Sequence, residues 1–116
     1  MLTAETLTPF VGGDIEVQVL PIDGGMFPKN VLRGPLANAE DSGSKIVVHL
    51  EWAARSNPRE DPGTWRRDSE TTIELPEVRQ AIQPDGHGRM VLRTDERMFV
   101  IFPPDGSKLD PEKVKD

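Results

Sequence analysis

The chain has 116 residues, 14 basic against 20 acidic groups for a net charge of −6, and no cysteine. That length suits one domain with one core, in which roughly two-thirds of the unfolded surface can be buried. The lack of cysteine excludes disulfides, thiolate metal sites and a cysteine nucleophile. The negative charge opposes long-range attraction to a phosphate backbone.

Mean hydropathy is −0.49, yet the apolar residues fall in short periodic runs, as in a folded domain and unlike a disordered chain. Residues 1–116 are expected to form a single domain, with 1–13 and 104–116 as partly ordered ends. Met1–Phe10 has neither a basic start nor an apolar stretch of signal-peptide length. No apolar run approaches the ~20 residues of a membrane helix. With no cysteine to staple a small secreted fold, the expected location is cytoplasmic, away from membranes. Charge is uneven: residues 1–54 carry 3 basic and 7 acidic groups, whereas 55–99 carry 8 arginines and 9 acids.

In chain order, Ile15, Val17 and Val19 alternate with Glu16 and Gln18, which predicts a strand with one wet face. Val31–Leu36 reads as another, confined to an edge or a bulge by Gly34-Pro35. The clearest strand runs from Lys45 to Trp52, with Ile46, Val48, Leu50 and Trp52 facing the core. Residues 56–64 are a polar loop. Beyond it Trp65, Ile73 and Leu75 share one parity of a long polar strand, with Arg66, Asp68, Glu70, Thr72 and Glu74 on the other. Leu75, Val78 and Ile82 have helical spacing, which predicts a turn or two over Pro76–Ile82. Arg89–Thr94 and Arg97–Phe102 form a hairpin whose last strand is expected to be buried on both sides. Asp110-Pro111-Glu112-Lys113 sets an N-cap before a proline and predicts a short C-terminal helical turn. Pro21-Ile22-Asp23-Gly24, Pro84-Asp85-Gly86 and Pro104-Asp105-Gly106 each carry turn chemistry. The expected fold is therefore mostly β: a small antiparallel barrel or sandwich, SH3-like or Sm-like, of five or six strands with a C-terminal turn.

The residues offer little for catalysis. His49 and Glu51 lie two apart on a strand and point the same way, half of a metal site that needs at least one more ligand. A solvent-facing histidine beside a glutamate explains the pair as well. His87 sits between glycines in a turn. No serine has the flanking glycines of a nucleophile elbow, and Gly12-Gly13 and Gly24-Gly25 lack the lysine and helix of a phosphate-binding loop. No enzyme activity and no cofactor is expected; metal-dependent chemistry at His49 and Glu51 is the one alternative.

Two clusters suit binding. Trp65-Arg66-Arg67, with Arg55 and Arg59 before it, combines residue types that anchor interfaces and stack on bases. It competes with a plainer arrangement, in which Trp65 caps the core and Arg66 pairs with Asp68 or Glu70. Met26 and Phe27 follow a double glycine and either reach for a partner or plug one end of the domain. The leading reading is a protein-binding module or small subunit of a larger assembly, its partner another protein or a copy of itself. The alternatives are single-stranded nucleic-acid binding on the Trp/Arg face, and an acidic mimic of nucleic acid that blocks a basic partner.

Overall fold

A computed structural model describes residues 4–21, 30–58, 61, 63–75, 80–82, 89–93 and 97–115. Within them a short helix α1 (Ala4–Leu7) and a 3₁₀ turn (Thr8–Phe10) precede β1 (Asp14–Pro21), β2 (Asn30–Ser42), β3 (Lys45–Leu50) and β4 (Ala53–Ser56). They are followed by β5 (Arg66–Asp68), β6 (Thr72–Leu75), β7 (Gln80–Ile82), β8 (Met90–Arg93), β9 (Arg97–Phe102) and a second 3₁₀ turn (Pro111–Lys113). The fold is mostly β and its ladders are antiparallel. Among the described residues nine strands, more than the five or six expected, make one sheet.

Two of the additional strands, β4 and the separation of β5 from β6, arise because three stretches of chain bend at a common level; the other, β7, lies where a helical turn was expected. β2 pairs with β4 through Val31–Arg33 and with β3 from Leu36 to Ser42, with a register shift between Leu36 and Asn38. The return chain breaks at Glu51 and Trp52 into β3 and β4, and the third breaks between Asp68 and Thr72 into β5 and β6. β5 pairs with β4, and β6 with β3.

Gly34 makes this bend feasible. A Cβ there would lie 2.0 Å from the carbonyl oxygen of Trp52, so only glycine lets the two backbones approach. Pro35 supplies no N–H at the change of partner, while its carbonyl accepts from Glu51 N–H at 2.9 Å. Gly34-Pro35 thus marks a corner in a strand paired on both sides, rather than a sheet edge. The expectation that Trp52 faces the core fails for the same reason: the bend breaks its parity with Leu50, and its side chain is half-buried.

The sheet follows the path β6–β3–β2–β1–β9–β8–β7, with β4 and β5 branching from the first half of β2. It is not closed: among the described residues no ladder joins β6 to β7. Ile15, Val17, Leu36, Val48, Leu75, Leu92 and Ile101 are fully buried on its inner side. Leu7 of α1 is also fully buried and joins the same cluster. Ala4 N–H donates to Asp41 Oδ1 at 3.1 Å, tying α1 to the far end of β2.

The hairpin expected over 89–102 is present as β8 and β9, with Leu92 opposite Phe99. Only one face of β9 is fully buried, at Phe99 and Ile101, whereas Met98, Val100 and Phe102 are half-buried. The helical turn expected over Pro76–Ile82 is replaced at residues 80–82 by β7, which pairs with β8; Pro76–Arg79 lie outside the described residues. The C-terminal turn forms as expected, Asp110 Oδ1 accepting Glu112 N–H at 3.0 Å. Gly106 takes φ +92°, as its Pro-Asp-Gly turn requires; the other two such turns fall on residues not described.

Beyond β9 the chain crosses back over the sheet. Leu109 N–H donates to Asp14 Oδ2 at 2.7 Å, Val114 is buried, and Lys115 exchanges backbone hydrogen bonds with Trp65 and Arg67 at 3.0 and 2.6 Å. The tail thereby occupies the outer edge of β5. Asp14 is the inner anchor of this crossing, a buried carboxylate that also faces Arg33 at 3.6 Å. Asp14→Ala is expected to cost about 1–3 kcal/mol in urea unfolding, because a donor and a guanidinium lose their partner together.

Candidate binding face

Residues paired directly across strands point to the same side of a sheet, so the ladders define the outer face row by row. One row runs Ala54, Arg33, Glu16, Phe102, the last with Arg89 beside it; the next runs Ser56, Val31, Gln18, Val100, Val91. Gln18, Val91, Val100 and Phe102 are half-buried, neither sealed in the core nor fully wet. Val31 and Ser56 are buried although they lie on this outer side, where Pro58, Gly63 and Trp65 gather beside them.

Among the described residues three depressions mark the face. The first, about 340 Å³, lies between Trp65 and Pro58 on one side and Glu16 and Gln18 on the other. The second, about 100 Å³, is bounded by Glu16, Arg33, Phe102 and Asp105. The third, about 390 Å³, is lined by Arg89, Phe102, Pro103, Pro104 and Asp105. Glu16 borders the first two, and Phe102 the second and third. The guanidinium of Arg89 lies over the Phe102 ring, 5.7 Å from its centroid, and its buried Nε has no hydrogen-bond partner among the described residues.

The charges on this face are largely committed. Arg33 stands directly opposite Glu16, but its guanidinium turns to Ser107 Oγ at 2.9 Å and to Asp14. Ser107 in turn donates from both its hydroxyl and its backbone N–H to Asp105, which holds that carboxyl below its usual range. The lowered value means that this contribution to the turn is complete above the ordinary carboxylate range. It is lost only as pH falls through the depressed value. Glu16 accepts from Gln18 Nε2 at 2.9 Å and, among the described residues, has no cation within ion-pair distance.

The Trp/Arg cluster read from the sequence is divided. Arg55 and Arg66 are a cross-strand pair and share one side of the sheet, whereas Arg67 pairs with Ala54 and points to the other. Arg55 binds Asp68 through Nε and one terminal nitrogen at 2.9 and 2.8 Å, so the partner of Asp68 is Arg55 and not Arg66. Arg67 lies over the ring of Trp52 at 5.2 Å. Trp65 is half-buried and joins the first depression, where its polar neighbours are Glu16, Gln18 and Ser56. Arg59, Met26 and Phe27 lie outside the described residues.

His49 is also rearranged. It meets Glu40 across the β2–β3 ladder at 3.0 Å and Thr72 at 3.4 Å, rather than Glu51 along its own chain. Among the described residues no three histidine or acidic side chains gather as a metal site would require, and no helix is long and apolar enough to cross a membrane.

Sequence reasoning missed Glu16, Gln18, Val100 and Phe102 as a set. They appeared as the wet parity of β1 and one face of β9, and nothing local showed that β1 and β9 are neighbours. No protein-family model, no curated protein and no solved structure matches the chain.

Proposed function

We propose that this chain is a protein-binding module whose outer face, along β1 and β9, receives a segment of another protein. The observation that carries this reading is the patch of half-buried Gln18, Val100 and Phe102 across two adjacent rows, with a depression walled by Trp65 at one side and one walled by Arg89 and Pro104 at the other. Mixed apolar and polar surface of this kind, flanked by an aromatic wall, suits a protein partner. The scaffold is a small barrel left open between β6 and β7, and its freedom from cysteine favours the cytoplasm.

This reading is preferred to single-stranded nucleic-acid binding because the arginines do not converge on Trp65. Arg55 is neutralised by Asp68, Arg67 is spent on Trp52, and the carboxylate nearest the Trp65 depression would repel phosphate.

Val100→Glu is the direct test. Val100 is only half-buried, so the variant should retain the fold, with a loss of about 1 kcal/mol or less. A partner retained from host extract by the native protein should fall at least tenfold on the variant. Equal retention on both, or no specific partner on the native protein, overturns the reading.

A further inference from the structure

The charge pattern of the same face defines the partner more narrowly. We propose that it selects a segment bearing an arginine or lysine, and that Glu16 is the residue that binds the cationic side chain. This rests on the protein-binding reading above and specifies what that partner must carry.

Glu16 projects from the middle of β1, between the depression bounded by Trp65 and the one bounded by Phe102. Its carboxylate is half-buried and positioned by Gln18 Nε2. Arg33, directly across the ladder, donates instead to Ser107 and faces Asp14 at 3.6 Å. Among the described residues no cation therefore forms an ion pair with Glu16, and its charge is open to a partner's.

A partner that covers this carboxylate must offset its lost hydration. An apolar or acidic segment would bury an unpaired charge, which is strongly unfavourable. An arginine or lysine supplies the missing counter-ion, and its methylene stem can lie against the Trp65 indole or the Phe102 ring. The net charge of −6 draws a basic segment to the protein from a distance. An anion in the third depression is less well served, because Asp105 shares that space with Arg89.

The test uses the full chain, labelled with ¹⁵N and titrated at moderate salt with acetylated, amidated hexa-arginine and hexa-glutamate. Hexa-arginine is expected to shift the Trp65 indole and Gln18 side-chain amide signals saturably, and hexa-glutamate to leave them unmoved. Glu16→Gln, close in size to the native residue, should weaken hexa-arginine binding at least tenfold, while the exposed control Glu70→Gln leaves it unchanged. Equal affinity in Glu16→Gln and native protein, or no shift at these two reporters, overturns the proposal. The two readings fail separately. If Val100→Glu abolishes partner capture but Glu16→Gln does not, the face binds protein and the cation requirement is wrong.

Discussion

Gly34→Ala is expected to destabilise the protein by about 3 kcal/mol, lowering the urea midpoint and Tm well beyond the effect of an ordinary surface substitution. The added carbon would sit 2.0 Å from Trp52 O and 3.1 Å from Trp52 C. Both are backbone atoms, so no rotamer change relieves the overlap. The corner of β2 must open, and with it the junctions of β3 with β4 and of β5 with β6, which bend at the same level. Gly43→Ala is the matched control. Gly43 has φ +64° in the β2–β3 turn but open space around its Cα, so the cost there is backbone strain alone, about 1 kcal/mol. A Gly34→Ala loss no larger than that of Gly43→Ala would show that the close approach is relaxed in solution.

Leu7→Ala should be nearly as severe. A four-residue helix near the start of the chain has no independent stability, yet Leu7 is completely buried and belongs to the central cluster. Truncation removes apolar surface and leaves a cavity, for which about 2–5 kcal/mol is usual. For a domain of this size that corresponds to a fall in Tm on the order of 10 °C or more. Thermal unfolding followed by circular dichroism measures it directly. A shift of only a degree or two would mean that α1 is an ornament on the sheet rather than part of its core.

These two positions also show what could be read from sequence and what could not. Alternation was sufficient for β1, β3 and the β8–β9 hairpin, where Ile, Val, Leu and Phe recur at period two over a half-buried surface. It failed for β4, whose Ala53-Ala54-Arg55-Ser56 has neither β-branched nor aromatic residues but is held between β2 and β5. It failed for the second half of β2, where Ala37-Asn38-Ala39-Glu40-Asp41-Ser42 carries no alternating large apolar residues but is zipped to β3. Gly34-Pro35 was recognised as an interruption, while its meaning depended on the carbonyl of Trp52, a contact that no local pattern encodes. The same limit applied to the binding face. Trp65 drew attention by residue type, but the arginines expected around it were distributed by strand parity to opposite sides. Glu16 was unremarkable until β9 and the tail placed Phe102 and Asp105 near it.

The tail crossing has a consequence for biosynthesis. Asp14 and Leu109, joined by a hydrogen bond, are 95 residues apart, and β1 cannot pair on its second side until β9 has been made. At usual rates of about 5–20 residues per second, the ribosome therefore presents β1 with one unpaired edge for roughly 4–17 seconds. During that interval Ile15, Val17 and Val19 lie on an incomplete sheet that can pair with another nascent chain. Newly made protein should accordingly depend on chaperone protection far more than the finished fold, and fast overexpression should favour aggregates over soluble product.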